Sequence, residues 1–438
     1  MELAQFRTFR VGAADLNGQM RGKRLPAAFA TKLDSGAVRM PLSALNVDIW
    51  GEDIADSPLV FETGDADGIL FPTERGPVPM PWLTTPSALV PMTMRMESGA
   101  PFLGDPRQAL RFVLDRYKAR GWTVMAATEM EFNLADDKGD ALLPPIDPRS
   151  GRRIFAGDVL SIDELDAFDP FFTELYEGAE AMGIPVQSMI GECGLGQFEV
   201  TLNHQEAMRA ADDALLFKLL LRGMARKHGM AATFMAKPYP DDAGNGMHVH
   251  FSVVDEDGNN VFNNGGPEGT RTLHQAIAGC MEAMRASSLI FAPHGSSYDR
   301  FAPGAHAPTS VCWAYENRTA SIRVPGGAPA ARRIEHRTAG GDINPYLMLA
   351  AVLGAAIEGI EEDLTPSEPI TGNAYDLDLP QLAGSWEEAI DLFETDEFIS
   401  RCLPETLIRN MVMTKRQELR RFTGIPESDR WQTYLERV

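Results

Sequence analysis

Two glutamates two residues apart inside an apolar run constrain this chain more than any other feature. They are Glu129 and Glu131, in Trp122-Thr-Val-Met-Ala-Ala-Thr-Glu-Met-Glu-Phe-Asn-Leu134. The apolar, β-prone composition of the run predicts a buried strand. Successive side chains on a strand point to opposite faces, so the two carboxylates share one face. Adjacent negative charges repel, and a strand in apolar surroundings offers them little water. They need arginine or lysine partners, an opening to solvent, or a divalent cation between them.

Three further stretches repeat the design. Gly246-Met-His-Val-His-Phe-Ser252 puts His248, His250 and Ser252 on one strand face, and Arg333-Ile-Glu-His-Arg337 does the same for Arg333, Glu335 and Arg337. Gly191-Glu-Cys-Gly-Leu-Gly-Gln-Phe-Glu199 adds Glu192 and Glu199 across a glycine loop. Together they predict one shared polar interior holding Glu129, Glu131, Glu192, Glu199, Glu335 and the imidazole of His248. Such an oxygen-rich donor set suits Mg²⁺ or Mn²⁺ rather than a cysteine-based zinc site. Arginines beside cations make sense if an anion such as phosphate is bound as well. Cys193 is expected to point away from the Glu192 face and to pack.

Composition narrows the partners. Acidic residues number 62 against 40 basic ones, a net charge of −22. No basic stripe is available to neutralise phosphates, so nucleic acid is not an expected partner. Four widely spaced cysteines (Cys193, Cys280, Cys312 and Cys402) form no CxxC pair, which fits a reduced, cytoplasmic protein. The opening residues lack a signal-peptide pattern, and no run of about 18 apolar residues predicts a membrane span.

Residues 1–98 read as short strands and turns; Pro79, Pro81, Pro86 and Pro91 forbid a helix on the approach to residue 100. Beyond Pro106 the pattern predicts helices over 106–120, 163–182, 205–227, 273–288 and 344–360. It predicts strands over 122–134, 184–189, 248–254, 320–324 and 334–337. Mixed elements with an antiparallel hairpin near 255–260 predict an α+β fold.

In order and spacing, Glu129-x-Glu131, the Gly191–Glu199 stretch, Gly244-Asn-Gly-Met-His-Val-His250, Asn317-Arg-Thr-Ala-Ser-Ile-Arg-Val-Pro325, Arg333-x-Glu-x-Arg337 and Asn344-Pro-Tyr-Leu347 resemble the glutamine synthetase family. The likeness runs from Asp15 to Tyr434. It implies a small N-terminal β-grasp domain over residues 1–98 and a large catalytic domain with a curved antiparallel sheet over 99–438. It implies a homo-oligomeric ring, usually a dodecamer, with active sites between neighbouring subunits. It implies ATP as a substrate, two or three Mg²⁺ or Mn²⁺ ions per site, and glutamate activated as γ-glutamyl phosphate.

Residue by residue, Glu131, Glu192 and Glu199 match the ligands of one metal, and Glu129, His248 and Glu335 those of a second. His250, Arg323 and Arg333 match residues around the ATP phosphates, and Ser252 falls in the nucleotide pocket. His204 falls where the family often has a purine-stacking aromatic. Arg318 matches an arginine at the transferred phosphoryl group. Arg300 and Arg337, with Gly244 and Glu131, match residues that hold glutamate. Asp15, in Asp-Leu-Asn-Gly, matches the aspartate that a neighbouring subunit supplies to deprotonate the nitrogen nucleophile.

One position departs from the ammonia-using pattern. His306, in Arg300-Phe-Ala-Pro-Gly-Ala-His-Ala-Pro308, stands where those members carry a glutamate that helps bind ammonium. The metal and phosphate residues are all present, so the change falls at the nitrogen end of the site. The chain is more similar to the branch that ligates polyamines or alkylamines, whose N-terminal signature resembles Asp15-Leu-Asn-Gly-x-x-Arg-Gly-Lys23. The expectation is an ATP-dependent glutamate–amine ligase of nitrogen metabolism and amine catabolism. The alternatives are a glutamine synthetase using ammonia, a guanidino kinase on the same fold, and a catalytically inactive member of the ring. Tyr375, in Asn-Ala-Tyr-Asp-Leu377, resembles a loop that bacterial glutamine synthetases use for nucleotidylation.

Overall fold

The computed structural model describes residues 1–302 and 307–438, so His306 lies outside the described residues. Two sheets organise the chain. The first contains β1 (Thr8–Ala14), β2 (Met20–Pro26), β3 (Val38–Pro41), β4 (Asp67–Pro72), β5 (Val78–Pro79) and β6 (Ala88–Arg95). Their order is β2-β1-β6-β4-β3, with β5 against β6. Only β1 and β6 run parallel. Phe9, Val11, Leu70, Val90 and Met94 fill a core of their own beneath this sheet.

The second sheet is larger. It contains β7 (Thr123–Ala135), β8 (Val186–Gly191), β9 (Gln197–Glu206), β10 (Ala231–Thr233), β11 (Met247–Val254), β12 (Trp313–Tyr315), β13 (Ile322–Val324) and β14 (Ile334–His336). The order is β12-β13-β14-β11-β7-β9-β8, with β10 on β7. It is antiparallel apart from the β12–β13 pair at one edge. Register shifts between Ala126 and Thr128 on β7, and between Val186 and Ser188 on β8, are irregularities of the kind that bend and twist a sheet.

The two faces of β7 differ as the sequence pattern requires. Val124, Ala126, Thr128, Met130 and Phe132 are buried, while Met125, Ala127, Glu129 and Glu131 stay partly open on the opposite face. The buried face joins the main apolar core, which takes in helices Pro106–Lys118, Ala207–Lys227, Arg271–Met284 and Pro345–Glu361. Helix Pro345–Glu361 is buried along almost its whole length. A Cβ on Gly279 would lie 2.1 Å from the Ala355 carbonyl oxygen, so the crossing of the Arg271–Met284 and Pro345–Glu361 helices is closer than any side chain would permit. Asn344 caps the latter by accepting from Tyr346 N at 2.9 Å, with Pro345 in the first turn. The same Asn344 donates to the Asp15 carbonyl at 2.9 Å, tying the central helix to the Asp15–Gly18 turn.

Three expectations need correcting. The helix predicted over 163–182 is two helices, Ile162–Ala167 and Asp169–Met182. Pro170 has no N–H to continue the ladder, and Phe168 between them leaves helical geometry. The Glu199 segment is a ten-residue strand, β9, and it takes the first residues assigned by pattern to the 205–227 helix. Cys193 is exposed rather than packed. All four cysteines are free, and no helix among the described residues is long and apolar enough to cross a membrane.

Candidate active site

Strand pairing assembles the polar face. On β7, Glu131 lies opposite Glu199 of β9, and Glu129 lies opposite His248 of β11. On β11, His250 lies opposite Glu335 of β14, which in turn faces Arg323 of β13. Five strands thus present their charged residues across one sheet. Glu192 follows the end of β8 and folds back to join them, because Glu192 N donates to the Gln197 carbonyl at 2.9 Å across the glycine loop.

Three triads bring ligand atoms within 4.8 Å of one another: Glu131–Glu192–Glu199, Glu129–Glu199–His248 and Glu129–His250–Glu335. The first is the set expected from the sequence. The expected set Glu129–His248–Glu335 is divided between the other two. His248 Nδ1 and His250 Nε2 each meet a different oxygen of Glu129, at 3.2 and 3.0 Å. Glu335, paired in register with His250, therefore joins His250 rather than His248.

The carboxylates are not electrostatically alike. Burial pushes Glu129 up, but hydrogen bonds and charge from His248 and His250 outweigh it and hold the carboxyl far below the usual range. Burial acts the same way on Glu335, and Arg337, His250, His248 and Arg323 together hold it down. Arg323 Nη1 donates to Glu335 at 2.8 Å and Arg337 pairs with its other oxygen. At the other end, burial and then Glu131 raise Glu192 to about 7. Burial and the charges of Glu129, Glu131 and Glu192 raise Glu199 to about 9. Among the described residues no lysine or arginine forms an ion pair with Glu131, Glu192 or Glu199. Hard oxygen donors that converge without a counter-charge fit a divalent cation.

Two chambers meet at Glu129. One, of about 570 Å³, is lined by Glu129, His204, His250, Ser252 and Arg333, with the small residues Ala328, Ala330 and Ala331. Arg333 Nε donates to His250 Nδ1 at 3.2 Å. The other, of about 490 Å³, is lined by Glu129, Glu131, Glu192, Glu199 and His248, and by Gly244, Arg300, Arg318, Arg337 and Tyr375. Arg300 is buried, donates to the Thr338 carbonyl at 2.8 Å, and has its pKa lowered by burial. Arg318 is exposed at the chamber wall.

The glycine loop beside Arg300 has a steric reason. A Cβ on Gly246 would lie 2.6 Å from Arg300 Nη2 and 3.4 Å from the Glu131 carboxylate. A side chain there would push the Arg300 guanidinium aside, whereas Gly246 leaves it in place and donates through its N–H to Glu131 at 2.5 Å. Residues that the motif reading passed over hold this loop. Gln197 Nε2 donates to the Gly244 carbonyl at 3.0 Å and to Asn245 Oδ1 at 2.9 Å, and Asn245 Nδ2 donates to Asn133 Oδ1 at 2.7 Å. Strand parity carried that signal: Asn133 shares the face of Glu131, and Gln197 that of Glu199.

Asp15 is placed apart. It is fully buried and lines neither chamber. Its Oδ1 accepts from Asn17 N and Gln19 N, both at 2.9 Å, and its Oδ2 from Arg21 Nε at 2.7 Å. Burial raises its pKa to about 6 against the opposing pull of Arg21. In this chain Asp15 holds a turn together and shows no surface to a ligand.

Comparison with known proteins agrees with this geometry. Residues 103–434 match the glutamine synthetase catalytic domain. The chain is 36% identical to the gamma-glutamylputrescine synthetase of Escherichia coli, over 93% of this chain and 87% of that protein. It is 32% identical to a glutamate–isopropylamine ligase of a Pseudomonas species, over 98% of this chain and 95% of that protein. Among solved structures, the ADP complex of GmaS superposes with a TM-score of 0.85 at 27% identity, covering 99% of each chain. With its catalytic fold, its ordered motifs and these relatives in agreement, the chain belongs to the glutamine synthetase family.

Proposed function

We propose that this protein is an ATP-dependent ligase that joins the γ-carboxyl group of glutamate to the nitrogen of a polyamine or alkylamine. The observation that carries the reading is the meeting of two chambers at Glu129, one walled by Arg333 and His250 and the other by Arg300 and Arg337. The first suits a nucleotide and the second a small dicarboxylate. The relatives named for putrescine and isopropylamine supply the class of acceptor.

A carboxylate is a poor electrophile, so it must first be phosphorylated. Arg300 and Arg337 hold the carboxylates of glutamate, with Gly244 and Glu131 framing the rest. Arg323, Arg333 and His250 hold the ATP phosphates, and Ser252 and His204 lie along the nucleoside. A γ-carboxylate oxygen attacks the γ-phosphorus, the bond to the β–γ bridging oxygen breaks, and ADP leaves. Arg318 faces the transferred group and offsets its charge. Glu131, Glu192 and Glu199, and Glu129 with His248, His250 and Glu335, would hold two or three Mg²⁺ or Mn²⁺ ions, which would supply positive charge between the two anions.

The amine arrives protonated, since an alkylammonium pKa is close to that of lysine, about 10.4. It loses a proton, attacks the γ-carbonyl carbon, and phosphate leaves. Asp15 is the proposed proton acceptor, supplied by a neighbouring subunit of a homo-oligomeric, dodecameric ring. Its burial here means that the Arg21 pair must open for it to serve. His306, in place of an ammonium-binding glutamate, favours organic amines over ammonia. The division of the chain into domains at residues 98 and 99, and a cytoplasmic location in keeping with four free cysteines, belong to the same proposal.

The test is ADP release with glutamate and each of ammonia, mono-, di- and polyamines, with the product identified by mass. An organic amine should give a higher kcat/KM than ammonia. Ammonia outperforming every amine tested would return the protein to glutamine synthesis.

A further inference from the structure

We propose that Tyr375 determines acceptor specificity: its ring is the wall against which the carbon chain of the amine rests, and its hydroxyl fixes that wall in place. This rests on the glutamate–amine ligase reading.

Tyr375 sits in a short 3-10 turn, Ala374–Asp376, far in sequence from every strand that carries a charged residue of the site. It is half-buried and lines the chamber beside Arg300, Arg318 and Arg337. Its hydroxyl donates to the Ala307 carbonyl at 2.8 Å. The turn is also tied to the segment that carries Arg318. Asn317 Nδ2 donates to the Gly372 carbonyl at 2.6 Å, and Ala374 N donates to Thr319 Oγ1 at 3.0 Å. Three separate stretches of chain are therefore joined at this residue.

The remaining surface of the chamber gives it a role. The carboxylates converge on cation positions, and the arginines meet anions. Among the described residues, the larger uncharged side chains left to contact an organic group are Val159, Ile190, Cys193, Gln197, Thr319 and Tyr375, and Gln197 is engaged in holding the glycine loop. Tyr375 is, among the described residues lining this chamber, the one with a phenyl or indole ring. An aromatic ring in such a wall attracts an ammonium through its face and packs along a carbon chain. The acceptor class that fits is a primary amine with an aliphatic tail, in preference to ammonia, which has nothing to place there.

The experiment compares wild type, Tyr375→Phe and Tyr375→Leu with glutamate, ATP and an amine series from ammonia through methylamine and butylamine to 1,4-diaminobutane. Positional exchange of the β–γ bridging oxygen of labelled ATP, with glutamate and no amine, reports the phosphoryl step separately. Tyr375→Phe loses only the hydroxyl bond and should raise the amine KM about five-fold, with oxygen exchange and glutamate KM within about two-fold of wild type. Tyr375→Leu should flatten the preference for longer amines by about ten-fold. Unchanged amine KM and selectivity in both variants overturns the proposal. So does a loss shared equally by oxygen exchange and glutamate KM, which marks a structural role. A wild type that uses ammonia alone overturns the ligase reading and this proposal together. A wild type selective among organic amines, with variants that keep that selectivity, overturns the Tyr375 assignment alone. Tyr375→Phe decides the matter even where Tyr375→Leu does not fold.

Discussion

The two ends of the acidic face solve the same electrostatic problem differently. At one end Glu129 and Glu335 are neutralised from within: two histidines hold the first and two arginines the second. At the other end Glu131, Glu192 and Glu199 converge without a basic partner among the described residues, and burial with mutual repulsion raises Glu192 to about 7 and Glu199 to about 9. The difference lies in the counter-charge. At the arginine and histidine end the fold supplies its own; at the other end it offers converging carboxylates that could hold a cation.

The largest expected effect is at the carboxylate end. Glu131→Gln, or removal of divalent cations by chelator, should lower turnover by about 10³-fold while leaving the fold intact. Turnover close to wild type at saturating Mg²⁺ would erase the distinction between the two ends. Next comes the neutralised end. Arg323→Ala leaves the buried Glu335 with one arginine, so it should cost about 1–3 kcal/mol of stability. It should also lower activity about 10²-fold, uniformly across amines, because phosphoryl transfer precedes amine attack. Loss with a single amine would contradict that order of steps.

A pH dependence sharpens the comparison further. In the metal-free fold Glu192 and Glu199 bind protons more tightly than in the unfolded chain, whose glutamates titrate near 4.3. Metal-free stability should therefore fall as pH rises from about 4.5 to 9. A bound cation removes that penalty. The gain in Tm on adding Mg²⁺ should be larger at pH 8.5 than at pH 6.5, as read by calorimetry at both. An equal or smaller gain at the higher pH would show that cation and proton do not compete there.

The smallest effect on the fold concerns Asp15. Asp15→Asn weakens one turn and should cost only about 1 kcal/mol of stability, while, as the proposed proton acceptor is removed, turnover with ammonia and with amines should both be impaired. Turnover close to wild type with both would take Asp15 out of the proton-transfer step.

Much of this site was legible in the sequence because strands write their geometry with a period of two. Glu129 and Glu131, His248 and His250, and Arg333, Glu335 and Arg337 each shared a face before any pairing was known, and the pairing put those faces together. Long helices with a cap and an apolar stripe, such as Pro345–Glu361, were equally plain. What was hidden depended on tertiary neighbours. The alternation Gln197-Phe-Glu-Val-Thr-Leu202 marks β9 as a strand, but the glycine loop before it does not say that it will pair with both β7 and β8. The burial of Asp15 follows from Arg21 and the Asn344 cap, and nothing in Asp-Leu-Asn-Gly announces it. Tyr375 reaches the chamber only because its turn is bonded to Asn317, Thr319 and Ala307, residues 56 to 68 positions away.

The most direct test is calorimetric titration of Mn²⁺ into metal-free protein at pH 7, in two buffers of different ionisation enthalpy. The account predicts binding with net release of between about one and two protons per site, chiefly from Glu199, and a fall of about one in Glu199→Gln. Tight binding with no proton released, unchanged by Glu199→Gln, would contradict it.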